Sequence, residues 1–163
     1  MDKPKIKIHF FETYLAVIRN SVGSKMFRNF HMEIDGKNID ATRNGLVSCA
    51  FFVSNVLNMF SALKLIKEPH LTVSSTVKDL LESGWKEISE PRLGAVLIWE
   101  EKESHGGANR HIGFYVGNDL AVSNDADEGA PGMHHWTFGE NETGGQFRKV
   151  EMILWNSVFE KGE

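Results

Sequence analysis

A single cysteine, Cys49, stands among 163 residues. No disulfide can form within the chain, and no cluster of thiolates can hold a metal, so the fold must rest on its apolar core. Positive charge gives no footprint either. The 18 Lys and Arg are outnumbered by 22 Asp and Glu, the net charge is -4, and no basic cluster overrides that average, which argues against a nucleic-acid partner. Long apolar runs are missing as well. No segment approaches the length of a membrane-spanning helix. The N-terminal stretch is broken by Glu12 and Arg19 and lacks the apolar run and small-residue cleavage site of a secretory signal. The expectation is a chain without a membrane partner, cytoplasmic as synthesised, with release or export to a cell wall by another route left open.

What is present suits one globular domain over residues 1–163. The length allows a sizeable core, and eleven Phe and four Trp supply bulk for that core and for a groove wall. Phe11, Tyr14, Leu15, Ile18 and Val22 recur at helical spacing and predict a helix over 9–22. Residues 23–45 are polar and dotted with glycine and read as a long loop. The apolar run from Cys49 to about Leu65 is too long for a strand and predicts a buried helix. A third helix is expected from about Ser75 to Ser83, capped by Ser74 or Ser75 and ended by Gly84.

Beyond Gly84 the pattern changes to short β-rich runs, at 94–99, 111–116, 120–123 and 147–155, with Gly117-Asn118-Asp119 as a hairpin signal. Helices first and strands afterwards predict an α+β domain, its N-terminal helices packed on an antiparallel β-sheet.

A free cysteine is usually a small buried residue, so the neighbourhood of Cys49 decides its meaning. It follows a polar loop and opens the second helix, where unpaired backbone N–H groups and the positive end of the helix dipole converge. Such a position lowers a thiol pKa, and the same N–H groups form an oxyanion site. A base is then needed. His111 opens the strand His111-Ile112-Gly113-Phe114-Tyr115-Val116, and Gly113, two residues on, leaves that strand face open to a substrate or a neighbouring helix. If Asn118-Asp119 forms a two-residue turn, Gly113 lies opposite Asn124 on the face that carries His111. Asn124 would then orient the imidazole in a Cys-His-Asn arrangement. A one-residue slip would place Ser123 there instead, and Asp125 is a third candidate.

Three segments resemble the NlpC-type and CHAP-type cell-wall amidases. Ser48-Cys49-Ala50-Phe51-Phe52-Val53 is similar to the family's Asp-Cys-Ser-Gly-Phe-Val cysteine helix. Pro91-Arg92-Leu93-Gly94-Ala95-Val96-Leu97-Ile98-Trp99 resembles the strand preceding its catalytic histidine. His111-Ile112-Gly113-Phe114-Tyr115-Val116-Gly117-Asn118 resembles its His-Val-Gly-Ile-Tyr-Val-Gly-Asn strand. The matches fall in the family's order and span roughly residues 45 to 125. The resemblance implies a papain-like fold and a cysteine peptidase that cleaves amide bonds in bacterial cell-wall peptides, with a peptide or peptidoglycan fragment as partner. Ser48 and Ala50 stand where members often carry Asp and Ser, so the usual D-glutamyl specificity does not follow.

Such chemistry needs no cofactor. His105, His111, His134 and His135 lack the helical spacing that puts two imidazoles on one ion, so no metal is expected. His134-His135-Trp136 reads as a groove rim or a surface turn. A thiol acyltransferase on the same scaffold, or a catalytically silent domain binding wall peptides or a protein, are the alternatives.

Overall fold

The computed structural model describes residues 3–104 and 107–161. Helix α1, Phe10–Asn20, buries Tyr14, Leu15 and Ile18 along one stripe, as the 3.6-residue spacing requires. Helix α2, Cys49–Asn58, is apolar nearly all round, with Phe52, Val53, Val56 and Leu57 fully buried. It stops at Asn58 rather than near Leu65. A 3₁₀ turn follows at Ser61–Leu63, and Lys64 closes it with a left-handed φ of 53°. Leu65 and Ile66 still enter the core, so that part of the apolar run marks burial without helix.

Helix α3, Val73–Glu82, begins earlier than its sequence suggests, because Thr72 rather than a serine is the cap. Thr72 is extended and its hydroxyl accepts from the Ser75 N–H at 3.1 Å, satisfying a donor that the first turn leaves open. Asp79, buried in this helix, takes hydrogen bonds from the N–H of Lys67 and from Ser83, and pairs with His70 at 2.7 Å. That anchor fixes the segment leading into α3.

The region expected to be a long loop holds a hairpin, β1 (His31–Ile34) and β2 (Lys37–Asp40). Its turn is Asp35-Gly36, both with positive φ, the backbone that a two-residue turn between twisted strands demands.

The main sheet contains β3 (Lys86–Glu87), β4 (Val96–Ser104), β5 (Gly107–Gly117), β6 (Leu120–Asp125), β7 (Ala130–His135) and β8 (Val150–Trp155). Its order is β3-β8-β4-β5-β6-β7, with every neighbouring pair antiparallel. The chain is therefore α+β. Val96, Ile98, Ile112, Phe114, Val122 and Leu154 join the helices in the main core. Within that core the Phe52 ring meets Phe27 and Phe114 edge-on. The opposite face carries a smaller cluster of Ala95, Leu97, Trp99, Ala121 and Ile153. Strand β7 was not apparent in the sequence and lies at the sheet edge, the one place where its Pro131 is tolerated. Among the described residues no helix is long and apolar enough to cross a membrane.

Candidate active site

Cys49 is the first residue of α2 and is half-buried. The loop before it is built on Asp40, whose carboxylate accepts from the N–H groups of Phe30, Thr42 and Asn44 and from the Thr42 hydroxyl. Burial alone would raise this carboxyl, but those hydrogen bonds hold it well below the usual carboxylate range. The loop then passes Gly45, where a Cβ would sit 2.5 Å from the Gly129 Cα. Only glycine lets the loop rest on the β6–β7 turn there.

Pairing of β5 with β6 fixes the second half of the site. The turn Asn118-Asp119 is the expected two-residue one, with Gly117 opposite Leu120. The register slips by one between Tyr115 and Gly117, so Tyr115 faces Ala121 and Gly113 faces Ser123, not Asn124. Val116 is the extra residue, and it is buried. A bulge of this kind exchanges the faces of everything beyond it. The Ser123 hydroxyl therefore lies 2.8 Å from His111 Nε2.

The assignment of Asn124 as the partner of His111 is thus corrected. Its side chain points to the helix side, accepting from the Ser48 hydroxyl at 2.8 Å and donating to the Gly45 carbonyl at 2.8 Å. It ties the segment before Cys49 to β6. Asp125 is not the partner either, since its Oδ1 caps the following turn through the N–H groups of Asp127 and Glu128. Gly113 has a different use from the one expected. A Cβ there would stand 2.6 Å from the Val122 carbonyl oxygen and 2.7 Å from the Ser123 Cβ, so its space is taken by β6 and not by a ligand.

Cys49, His111, Ser123 and Asn124 line one groove of about 670 Å³. The β5–β6 ladder ends at Gly113–Ser123, and the N–H of Ile112, the residue next to His111, acts on the thiol. Sequence order therefore gives way to proximity: the start of α2 meets β5 where its pairing with β6 begins. Trp99 and Phe138 flank the His111 ring, with centroids 5.4 and 5.9 Å away, and the Trp99 indole donates to the Trp136 carbonyl.

The electrostatics of the resting site differ from expectation. Burial raises the Cys49 thiol pKa, and the N–H groups of Ile112, Ala50 and Cys49 itself, with Arg148, offset only part of that rise. The helix terminus favours the thiolate, yet loss of hydration outweighs it. His111 is pushed down to about 3, chiefly by burial and further by Arg148 and His134. At neutral pH the two groups are a neutral thiol and a neutral imidazole.

Two neighbours had no role at the cysteine or the histidine assigned to them from the sequence. Arg148 lines the groove, with its guanidinium donating to the Glu100 carbonyl at 3.0 and 3.1 Å and to the Asn109 carbonyl at 2.7 Å. It brings a cation to the thiol, attracted by the Glu100 carboxylate but with no salt bridge among the described residues. His134, read earlier as rim or turn, belongs to β7, and its Nε2 lies 2.7 Å from the Ser123 Oγ. Neither carries a local pattern: His134 reaches the site through the pairing of β7 with β6, and Arg148 from the bend that precedes β8. Of the histidines weighed for metal binding, His105 lies outside the described residues. Among the described residues no group of three or more His, Cys, Asp or Glu is placed to hold a metal.

Compared with models of known protein families and with curated proteins, the chain matches none.

Proposed function

We propose that this chain is a papain-like, NlpC-type cysteine hydrolase that cleaves amide bonds, with peptides of the bacterial cell wall as substrate. The observation that carries the reading is the shared groove of Cys49 and His111, in which the thiol opens a helix and the imidazole is held by Ser123. The ordered resemblance of the cysteine helix, the preceding strand and the histidine strand supplies the papain-like fold and the substrate class.

In this mechanism His111 takes the thiol proton as the Cys49 sulfur attacks the scissile carbonyl carbon. The carbonyl π electrons move onto oxygen, and the N–H groups at the start of α2 stabilise that oxyanion. Collapse expels the amine, which leaves with the proton from His111, and a thioester remains. Water then gives a proton to His111 and its oxygen attacks the thioester. The second tetrahedral intermediate releases the acid and returns the proton to sulfur. Arg148 offsets part of the cost of forming the thiolate in a buried site. No cofactor takes part.

The neutral resting pair is also what a silent binding domain would show, and one experiment separates the two. Purified peptidoglycan is incubated with wild type and Cys49→Ala, and released fragments are identified by mass spectrometry. Release of new amide-cleaved fragments by wild type alone supports the hydrolase. Binding without fragments or acyl-transfer products, equal in both proteins, overturns it.

A further inference from the structure

Two imidazoles, one hydroxyl and one backbone carbonyl form a single line across β5, β6 and β7. His111 Nε2 meets Ser123 Oγ at 2.8 Å, Ser123 Oγ meets His134 Nε2 at 2.7 Å, and His134 Nδ1 meets the His135 carbonyl oxygen at 2.7 Å. A hydroxyl bound to two imidazoles is ambiguous by itself, because it can give its one hydrogen to either ring. The far end of the line removes the ambiguity.

A carbonyl oxygen only accepts, so Nδ1 of His134 carries a hydrogen. Burial lowers the His134 pKa and Asp125 does not reverse this, so the ring is neutral near pH 7 and holds no second hydrogen. Its Nε2 is therefore a lone pair, and the Ser123 hydroxyl donates to it. The Ser123 oxygen must then accept from His111, whose hydrogen sits on Nε2. His111 is neutral too, which leaves its Nδ1 bare. From this polarity we infer that His134 is a positioning residue, acting through Ser123 to fix His111 in the tautomer whose Nδ1 can accept the thiol proton.

The ring that sets the direction is itself held. Phe138 stacks on His134 at 3.9 Å with 15° between the planes, and Trp99 lies 5.7 Å away. An amide in place of Ser123 would carry a fixed acceptor and need no second residue. A serine does need one, and β7 supplies it.

The tautomer is readable without any substrate, so the proposal stands or falls apart from the hydrolase reading on which its catalytic meaning rests. Long-range ¹H–¹⁵N spectra of the full chain at neutral pH distinguish an Nε2–H imidazole from an Nδ1–H one. Wild type should show His111 as Nε2–H. In His134→Leu the hydroxyl is free to donate to His111, and the Nδ1–H form should appear. His134→Gln should restore Nε2–H, since its amide oxygen accepts from Ser123 while its amide nitrogen donates to the His135 carbonyl. On a cleavable amide substrate, His134→Leu should lose about 10²-fold in kcat with KM nearly unchanged, and His134→Gln should recover most of it. An Nδ1–H His111 in wild type, or an unchanged tautomer in His134→Leu, overturns the proposal. So does a folded His134→Gln that shows the leucine variant's spectrum.

Discussion

Ser123 stands opposite Gly113 in the β5–β6 ladder, and its hydroxyl reaches Nε2 of His111 at 2.8 Å while the next residue, Asn124, faces the other way toward Ser48. Two adjacent polar residues thus serve the two halves of one site. One orients the imidazole, and the other secures the segment that carries the thiol. Both are buried, so each is costly to leave without its partner.

Substitution should separate these roles. Ser123→Ala is expected to reduce kcat by about 10²-fold and, because it leaves Nε2 of His111 and of His134 without their shared partner, to lower stability by about 1–3 kcal/mol as well. Asn124→Ala leaves the Ser48 hydroxyl and the Gly45 carbonyl short of a buried partner, and should lower stability by about 1–3 kcal/mol. Activity and urea unfolding of both variants check the pair. A kinetically silent Ser123→Ala would remove Ser123 from the site.

The raised thiol makes a statement about labelling. Iodoacetamide reacts with the thiolate, so alkylation of Cys49 should be slow at neutral pH. Its rate should rise with a midpoint above the ~8.5 of a free thiol. Arg148→Gln removes the cation that favours the thiolate and should move the midpoint higher still. A rate already at its plateau below pH 7 would mean that Cys49 and His111 form an ion pair at rest.

His111 links the site to acid stability. Its folded pKa, about 3, lies below the ordinary ~6.5 of the unfolded chain. Between those values the unfolded state binds the extra proton. Its contribution to stability is present above pH 6.5 and is lost as pH falls toward 3, at a slope of up to about 1.4 kcal/mol per pH unit. Urea unfolding across this range should show a steeper loss for wild type than for His111→Gln. Parallel curves would place the imidazole in a more hydrated setting than the groove provides.

The sequence announced helices before strands, and the positions of Cys49 and His111 that share a groove, because those signals are local. Helical spacing marked α1, and the apolar run marked the start of α2. Strand periodicity marked β4 and β5. The β1–β2 hairpin was also within reach, since Asp35-Gly36 between alternating residues is a strong turn signal; the polar look of 23–45 obscured it. The partner of His111 was narrowed to Asn124, Ser123 or Asp125, but the choice of Ser123 was not within reach. Turn length set the expected register, and the bulge at Val116 displaced it because burying that side chain in the main core depends on helices distant in sequence. His134 was hidden for a related reason. Pro131 and Gly132 make β7 read as a turn, and an edge strand tolerates them.

Gly113 offers the sharpest test of the geometry. Its φ is not in the left-handed region, so alanine there meets no backbone strain. The penalty is contact alone. The added Cβ would lie 2.6 Å from the Val122 carbonyl oxygen, 2.7 Å from the Ser123 Cβ and 3.1 Å from Trp99 Cη2. Two of these neighbours belong to β6, and both sit inside the sheet, so the strand itself must move. Overpacking of this kind costs about 1–3 kcal/mol. The larger consequence should be functional, because a shift of β6 away from β5 lengthens the Ser123–His111 hydrogen bond while leaving Cys49 on its helix. Gly113→Ala should therefore fold, with a lowered urea midpoint, and lose turnover on the scale of Ser123→Ala. Combining the two changes should cost little more activity than either alone, since both act on the same hydrogen bond. Additive losses would mean that Gly113 serves a ligand directly and that the close approach of β6 is not its purpose.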